Sequence, residues 1–182
     1  MALPLPASTP LTYQDLERLP DDGRRYELID GSLVVTPVPA PVHQLVVGAL
    51  SRLLWPARRA GTAVLAGPVE FVSQLTTSLQ PDVVVIEEGE IGEARLTRPP
   101  LLVGEVLSPS SRRHDLGSKR LAYAAAGVPF YWLLDPEPPV MLTVLRLAGE
   151  DYESVAEVRG EEEFVADEPF PVSLVPARLL DV

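Results

Sequence analysis

The chain of 182 residues has no cysteine, no asparagine and a single lysine, against fourteen arginines and twenty prolines. The lack of cysteine excludes disulfides, thiolate catalysis and thiolate zinc sites. Few thermolabile residues and proline-rich loops fit a heat-adapted protein, although a codon bias toward G and C leaves the same signature. No basic start leads into an apolar stretch, so no signal peptide is expected. The longest uncharged stretch, residues 31–51, holds three prolines with His43 and Gln44. A lipid-spanning helix is therefore not expected, and the expected address is the cytoplasm.

What is present points to a globular protein: 46% of residues are hydrophobic and the mean hydropathy is +0.13. At this length a single domain over residues 1–182 is expected, with residues 1–10 as a flexible proline-rich arm. The net charge of −11 argues against a generic nucleic-acid coat, but the charge is unevenly spread. Residues 95–120 hold six cations against Glu105 and Asp115, whereas residues 150–168 hold nine acids against Arg159. Local charge governs docking more than the total does. Two solvated faces of opposite sign are the plainer reading.

Punctuation and periodicity set out the elements. "TYQDLERLP" places Thr12 as a helix cap, with Asp15 three residues on and a stop at Pro20. "RRYELIDGSLVVTP" alternates around Asp30-Gly31, a hairpin signal. "HQLVVGALSRLLWPARRAG" spaces its leucines as a helix does, with Gly61 as its expected end. "TAVLAGPVEFVS", "PDVVVIEE" and "PPLLVGEVLS" read as three strands, and "HDLGSKRLAYAAAG" as one helix weakened at Gly117. "VPFYWLLDP" is an apolar strand, followed by a meander on the sheet's flank. This order predicts an α/β or α+β sandwich around a mixed β-sheet.

Three acids sit where strands should be apolar. Glu105 shares a face with Leu101, Val103 and Leu107, while Leu102, Gly104 and Val106 point the other way. An ionised carboxylate in such surroundings costs several kcal/mol unless it is paired or metal-bound. Asp82 opens its own strand, and Glu27 lies in the alternation "YELIDG". Edge exposure or an arginine partner, such as Arg25 for Glu27, could account for each singly. Convergence on a divalent cation accounts for all three, because hard cations such as magnesium take carboxylate oxygens. Lys119 stands four residues after Asp115 on the following helix; a lone surviving lysine suggests a need for a compact ammonium, with chance as the alternative.

The segments "YELIDGSLVV", "HQLVVGAL", "PDVVV", "LLVGEVLSPSS", "DLGSKRLAYAAAGV" and "YWLLDP" carry a resemblance, in order and spacing, over residues 26–136. The chain resembles the Uma-type restriction endonuclease family of bacteria, within the PD-(D/E)XK nuclease superfamily. The resemblance implies a restriction-endonuclease-like sheet flanked by helices, with an N-terminal hairpin and a C-terminal β-meander. It implies Asp82 and Glu105 as metal ligands and Glu27 as a further ligand or orienter. Lys119 matches a helix lysine of the family, whereas the usual superfamily position, two after Glu105, holds Leu107. The implied activity is magnesium-dependent hydrolysis of DNA, with manganese as a substitute. Lys119 would orient or deprotonate the attacking water or neutralise charge on the phosphate. Arg112, Arg113 and Arg120 would meet neighbouring phosphates, and His43 could touch substrate or support the site.

The cluster of Ser108, Ser110, Ser111, His114 and Asp115 invites a hydrolase triad, but no G-x-S-x-G elbow accompanies it. The competing expectation is an inactive nuclease-fold module for binding or oligomerisation in a mobile-element or defence system. A homodimer is expected from the hydrophobic surface of residues 140–158 and the "FYWLL" strand.

Overall fold

Local chemistry explains most element boundaries in the computed structural model, which describes residues 10–181. The expected flexible arm lies outside the described residues, Pro10 excepted. The first helix, α1 (Tyr13–Leu16), is held by Asp15, whose Oδ2 accepts from the Thr12 amide at 2.9 Å and the Thr12 hydroxyl at 2.7 Å. It stops after one turn, short of Pro20. The hairpin of β1 (Arg25–Ile29) and β2 (Ser32–Thr36) turns at Asp30 and Gly31, with φ of 48° and 74°. Two consecutive positive φ values are what a two-residue hairpin of this hand requires.

Helix α2 (Pro41–Ala57) buries Val46, Val47, Leu50 and Leu54 along one stripe. It ends at Arg58, not at the expected Gly61. Arg58 leaves the helical conformation with ψ of 149°, and its Nε donates to the Thr62 carbonyl at 2.8 Å. Gly61, at φ of 82°, instead makes the turn into β3 (Thr62–Ala66). The segment expected as one strand after it divides between two sheets. Beyond β3 come β4 (Phe71–Gln74) and β5 (Thr77–Leu79), and these join the hairpin in a four-stranded sheet of order β2-β1-β5-β4.

The main sheet has six strands in the order β10-β9-β8-β7-β6-β3. It adds β6 (Val83–Glu87), β7 (Leu102–Val106), β8 (Phe130–Asp135), β9 (Met141–Ala148) and β10 (Asp151–Arg159). Among the described strands of this sheet only β7 and β8 run parallel, joined through α3 (Arg112–Leu116) and α4 (Ser118–Ala125). The single helix expected here is broken at Gly117, whose φ of −120° and ψ of −94° interrupt the helical run. A small pair, β11 (Phe164–Ala166) and β12 (Val172–Leu174), and a final 3-10 turn, Pro176–Leu180, complete the described chain.

Strand alternation splits the core in two. Val83, Val85, Leu102, Val106 and Trp132 face α2 and the C-terminal pieces. Val84, Ile86, Val103, Leu107, Tyr131 and Leu133 face the other way, with Tyr123 of α4 and Ile29 of the hairpin. The architecture is thus the expected mixed sheet flanked by helices. The expected meander, β9 and β10, forms one edge of the main sheet. The "FYWLL" strand is central and buried, and Phe164, Val172 and Leu174 pack in the same core as Leu142 and Val144. The hydrophobic surface that suggested a homodimer is therefore largely consumed within the chain.

Candidate active site

In the antiparallel β6–β7 ladder, Val83 stands opposite Gly104. Carrying that register one pair outward sets Asp82 opposite Glu105, on one face of the sheet. Directly opposed residues have Cβ atoms roughly 4.5–5.5 Å apart. The hairpin of the smaller sheet brings in Glu27, α3 brings Asp115 and α4 brings Lys119. All five side chains are at least nine-tenths buried and line one cavity of about 260 Å³.

Lys119 is the hub. Its ammonium lies 3.0 Å from Glu27 Oε1, 3.1 Å from Glu105 Oε1 and 3.4 Å from Asp115 Oδ1. Glu27 Oε1 also accepts from the Gln80 amide at 2.7 Å, and Glu105 Oε1 from the Tyr123 hydroxyl at 2.8 Å. The Asp115 carboxylate is buried, and among the described residues its oxygens have no hydrogen-bond partner. Leu107, where the superfamily lysine would stand, is buried in the apolar core, and its amide donates to Leu134. The helix lysine reaches Glu105 in its place.

Asp82 has a separate set of partners. Its Oδ1 accepts from Arg25 at 2.9 Å; its Oδ2 meets His43 Nε2 at 3.0 Å and accepts from the Val106 amide at 2.9 Å. Arg25 also donates to the Gln80 carbonyl. The Asp82 backbone is gripped too: its carbonyl accepts from the Gly67 amide at 2.6 Å. A side chain on Gly67 would strike the Pro81 carbonyl, so only glycine permits this approach.

These contacts set the protonation of the pocket. Burial opposes ionisation of Asp82, but His43, Arg25 and the Val106 amide outweigh it and hold the carboxyl well below the usual range. Burial pushes Glu105 well above its ordinary value against the pull of Lys119, and raises Asp115 in the same way. Burial also works against the Lys119 ammonium, yet Glu105, Glu27 and Asp115 raise its pKa further than burial lowers it. Leaving His43 aside, the four carboxylates face two cations, Arg25 and Lys119. Full ionisation therefore leaves two negative charges without a counter-charge.

A hard divalent cation matches that deficit and the all-oxygen donors. Among the described residues no three acid or histidine side chains converge as a ready-made ligand cage. Magnesium, which is bound through one or two carboxylates and keeps several waters, needs no such cage. Asp82 and Glu105 are the two strand carboxylates that line the cavity from the main sheet.

Of the remaining expected residues, His43 joins the site and the three arginines fall elsewhere. His43 enters the cavity, as a partner of Asp82. Arg112 is bound to Asp135 at 2.6 Å, and Arg120 to Asp151 at 3.0 Å and to the Tyr152 carbonyl at 2.7 Å. Neither lines the acidic cavity. Arg113 lines a larger neighbouring cavity of about 780 Å³, between the hairpin and the α3–α4 pair, which contains none of the buried acids. The three serines hydrogen-bond among themselves, His114 pairs with Ser118 and Asp115 faces Lys119, so no triad forms.

Arg25 and Tyr123 were not legible as parts of the site. Arg25 pairs with an acid 57 positions away, and the helical spacing of Tyr123 from Lys119 signals no more than packing.

A family model described as "Uma2: Putative restriction endonuclease" matches residues 13–182. A solved structure, a "putative nuclease belonging to DUF820" from Anabaena variabilis, shares the fold with a TM-score of 0.74 at 18% identity. The similarity covers 94% of this chain and 98% of that one. No curated protein matches the chain.

Proposed function

Since the chain belongs to this restriction endonuclease family, we propose that the acidic cavity is the active site of a metal-dependent nuclease that hydrolyses DNA phosphodiester bonds. The observation that carries the reading is one buried cavity lined by Asp82, Glu105 and Glu27, with the Lys119 ammonium 3.1 Å from Glu105. When bound, magnesium or manganese supplies Lewis-acid polarisation of the phosphate and a more acidic water. Asp82 and Glu105 hold the cation, and Glu27 orients Lys119 beside them. Its raised pKa keeps Lys119 an ammonium at neutrality, so it acts by donating to the water or phosphate and by neutralising developing charge. The role of general base, which needs a neutral amine, is not the one this setting favours.

Of the three expected arginines, Arg113 alone has no acid partner among the described residues, which suits it best to a flanking phosphate. Arg112 and Arg120 meet one only by leaving their acid partners. A homodimer would give such an enzyme two sites for two strands.

The test is nicking of supercoiled plasmid with magnesium or manganese, comparing the parent protein with Asp82→Asn. Cleavage that needs the cation and vanishes in the variant supports the enzyme. One observation favours a second reading, an inactive binding module: every Asp82 oxygen already has a protein partner. A folded protein that binds DNA but never cleaves it would establish that alternative.

A further inference from the structure

Tyr123 has no part in the reaction as described so far, yet its hydroxyl makes one hydrogen bond, to Glu105 Oε1 at 2.8 Å. The ring is fully buried, 6.4 Å from the Phe71 ring and 5.1 Å from the Tyr131 ring between centroids. A residue wanted only for packing at this place needs no hydroxyl. A phenol placed there without an acceptor would be a buried unsatisfied donor.

The other donor to the same Glu105 oxygen is Lys119, which divides its charge among three carboxylates. Among the described residues Glu105 Oε2 makes no hydrogen bond, and Glu105 lines the acidic cavity. One oxygen is thus anchored from behind and the other is left for a ligand. Resting on the nuclease reading above, we infer that Tyr123 is a positioning residue, whose hydroxyl fixes the Glu105 carboxylate in the orientation that binds the cation. Such a partner limits carboxylate rotation before the cation arrives, which tightens binding without any contact to the cation.

The experiment is a manganese titration followed by electron paramagnetic resonance, on the whole chain and without DNA. Tyr123→Phe keeps the ring stack and deletes only the hydroxyl. Loss of an outer-shell partner typically weakens metal affinity about 10- to 100-fold, and that is the expected result. Tyr152→Phe is the packing control. It deletes another buried hydroxyl of the same aromatic cluster, one that donates to the Val128 carbonyl at 2.7 Å and lies away from the acids. Its manganese affinity should equal that of the parent. Thermal melts of each variant set a titration temperature at which all are folded.

Equal affinities for parent and Tyr123→Phe overturn the assignment while leaving the nuclease reading intact. Equal losses in both tyrosine variants overturn it as well, since packing then explains the effect. A parent that binds no manganese refutes the cation site and Tyr123's role together.

Discussion

Replacing Lys119 by methionine tests the charge arrangement of the pocket most directly. Methionine nearly conserves length and volume, so the change removes the ammonium and little else. Three carboxylates within 3.0–3.4 Å of it then lose their common partner, at a position 3% exposed. Breaking a buried ion pair by deleting one partner typically costs about 3–5 kcal/mol. Protons taken up by Glu105 and Asp115, already favoured by their raised pKa values, offset part of that cost. A net loss of about 2–4 kcal/mol is expected, and in a domain of this size each kcal/mol lowers Tm by roughly 2–4 °C. Urea unfolding at neutral pH gives the free energy, and calorimetry gives Tm. Adding Glu27→Gln to Lys119→Met should recover part of the loss, because one unpaired charge disappears. Lys119→Arg, conservative in charge, should also destabilise, by about 1–3 kcal/mol, since the larger guanidinium must fit among three buried carboxylates. A Lys119→Met protein within about 0.5 kcal/mol of the parent, the range of an ordinary surface substitution, would refute the hub role.

Gly67→Ala should cost about 1–3 kcal/mol by overpacking against the Pro81 carbonyl. It should also weaken manganese binding, because the push falls on the backbone of Asp82; a variant with parental affinity would show that Asp82 is held by its side-chain contacts alone. Metal affinity should rise with pH above the ordinary carboxylate range, because Glu105 must release the proton that burial favours before it can ligate. Isothermal titration in buffers of different ionisation enthalpy should therefore record proton release on binding, and a pH-independent affinity would contradict it.

Asp82, Glu105 and Glu27 stood out in the sequence because each interrupted a strong local pattern, whereas Asp115, which lines the same cavity, interrupted none. Glu105 interrupts an alternation whose two faces do lead into two different cores, so its face could be assigned from spacing alone. The Asp30-Gly31 turn was equally plain, since few residue pairs tolerate two positive φ values. Long-range pairing left no such mark. Strand β5 is three residues long, too short for periodicity to register, yet it joins the hairpin to β4 and its neighbour Gln80 donates to Glu27. The choice of Arg25 and His43 as partners of Asp82 depends on how the hairpin and α2 meet the main sheet, which no window of the sequence contains. Gly117 was legible as a weak point. That it would divide one helix into two, with Asp115 and Lys119 on opposite sides of the break, was not.

The division of the core by the main sheet bears on how the protein can change. The acids project to one side, so the hydrophobic residues beneath α2 form a region where substitutions can accumulate with effects on folding alone. Such a partition lets stability drift, or be engineered, without retuning the chemistry. It has one thin place. Gly104, next to Glu105 in sequence, faces α2, and a side chain there would come within 3.1 Å of Leu50. A methyl group at Gly104 would press on β7 from behind and carry a packing change on the permissive side through to the carboxylate on the other. Variation within this fold should therefore bear on stability alone at Val46 or Leu54 but reach the carboxylate at Gly104, although none of the three lines the pocket.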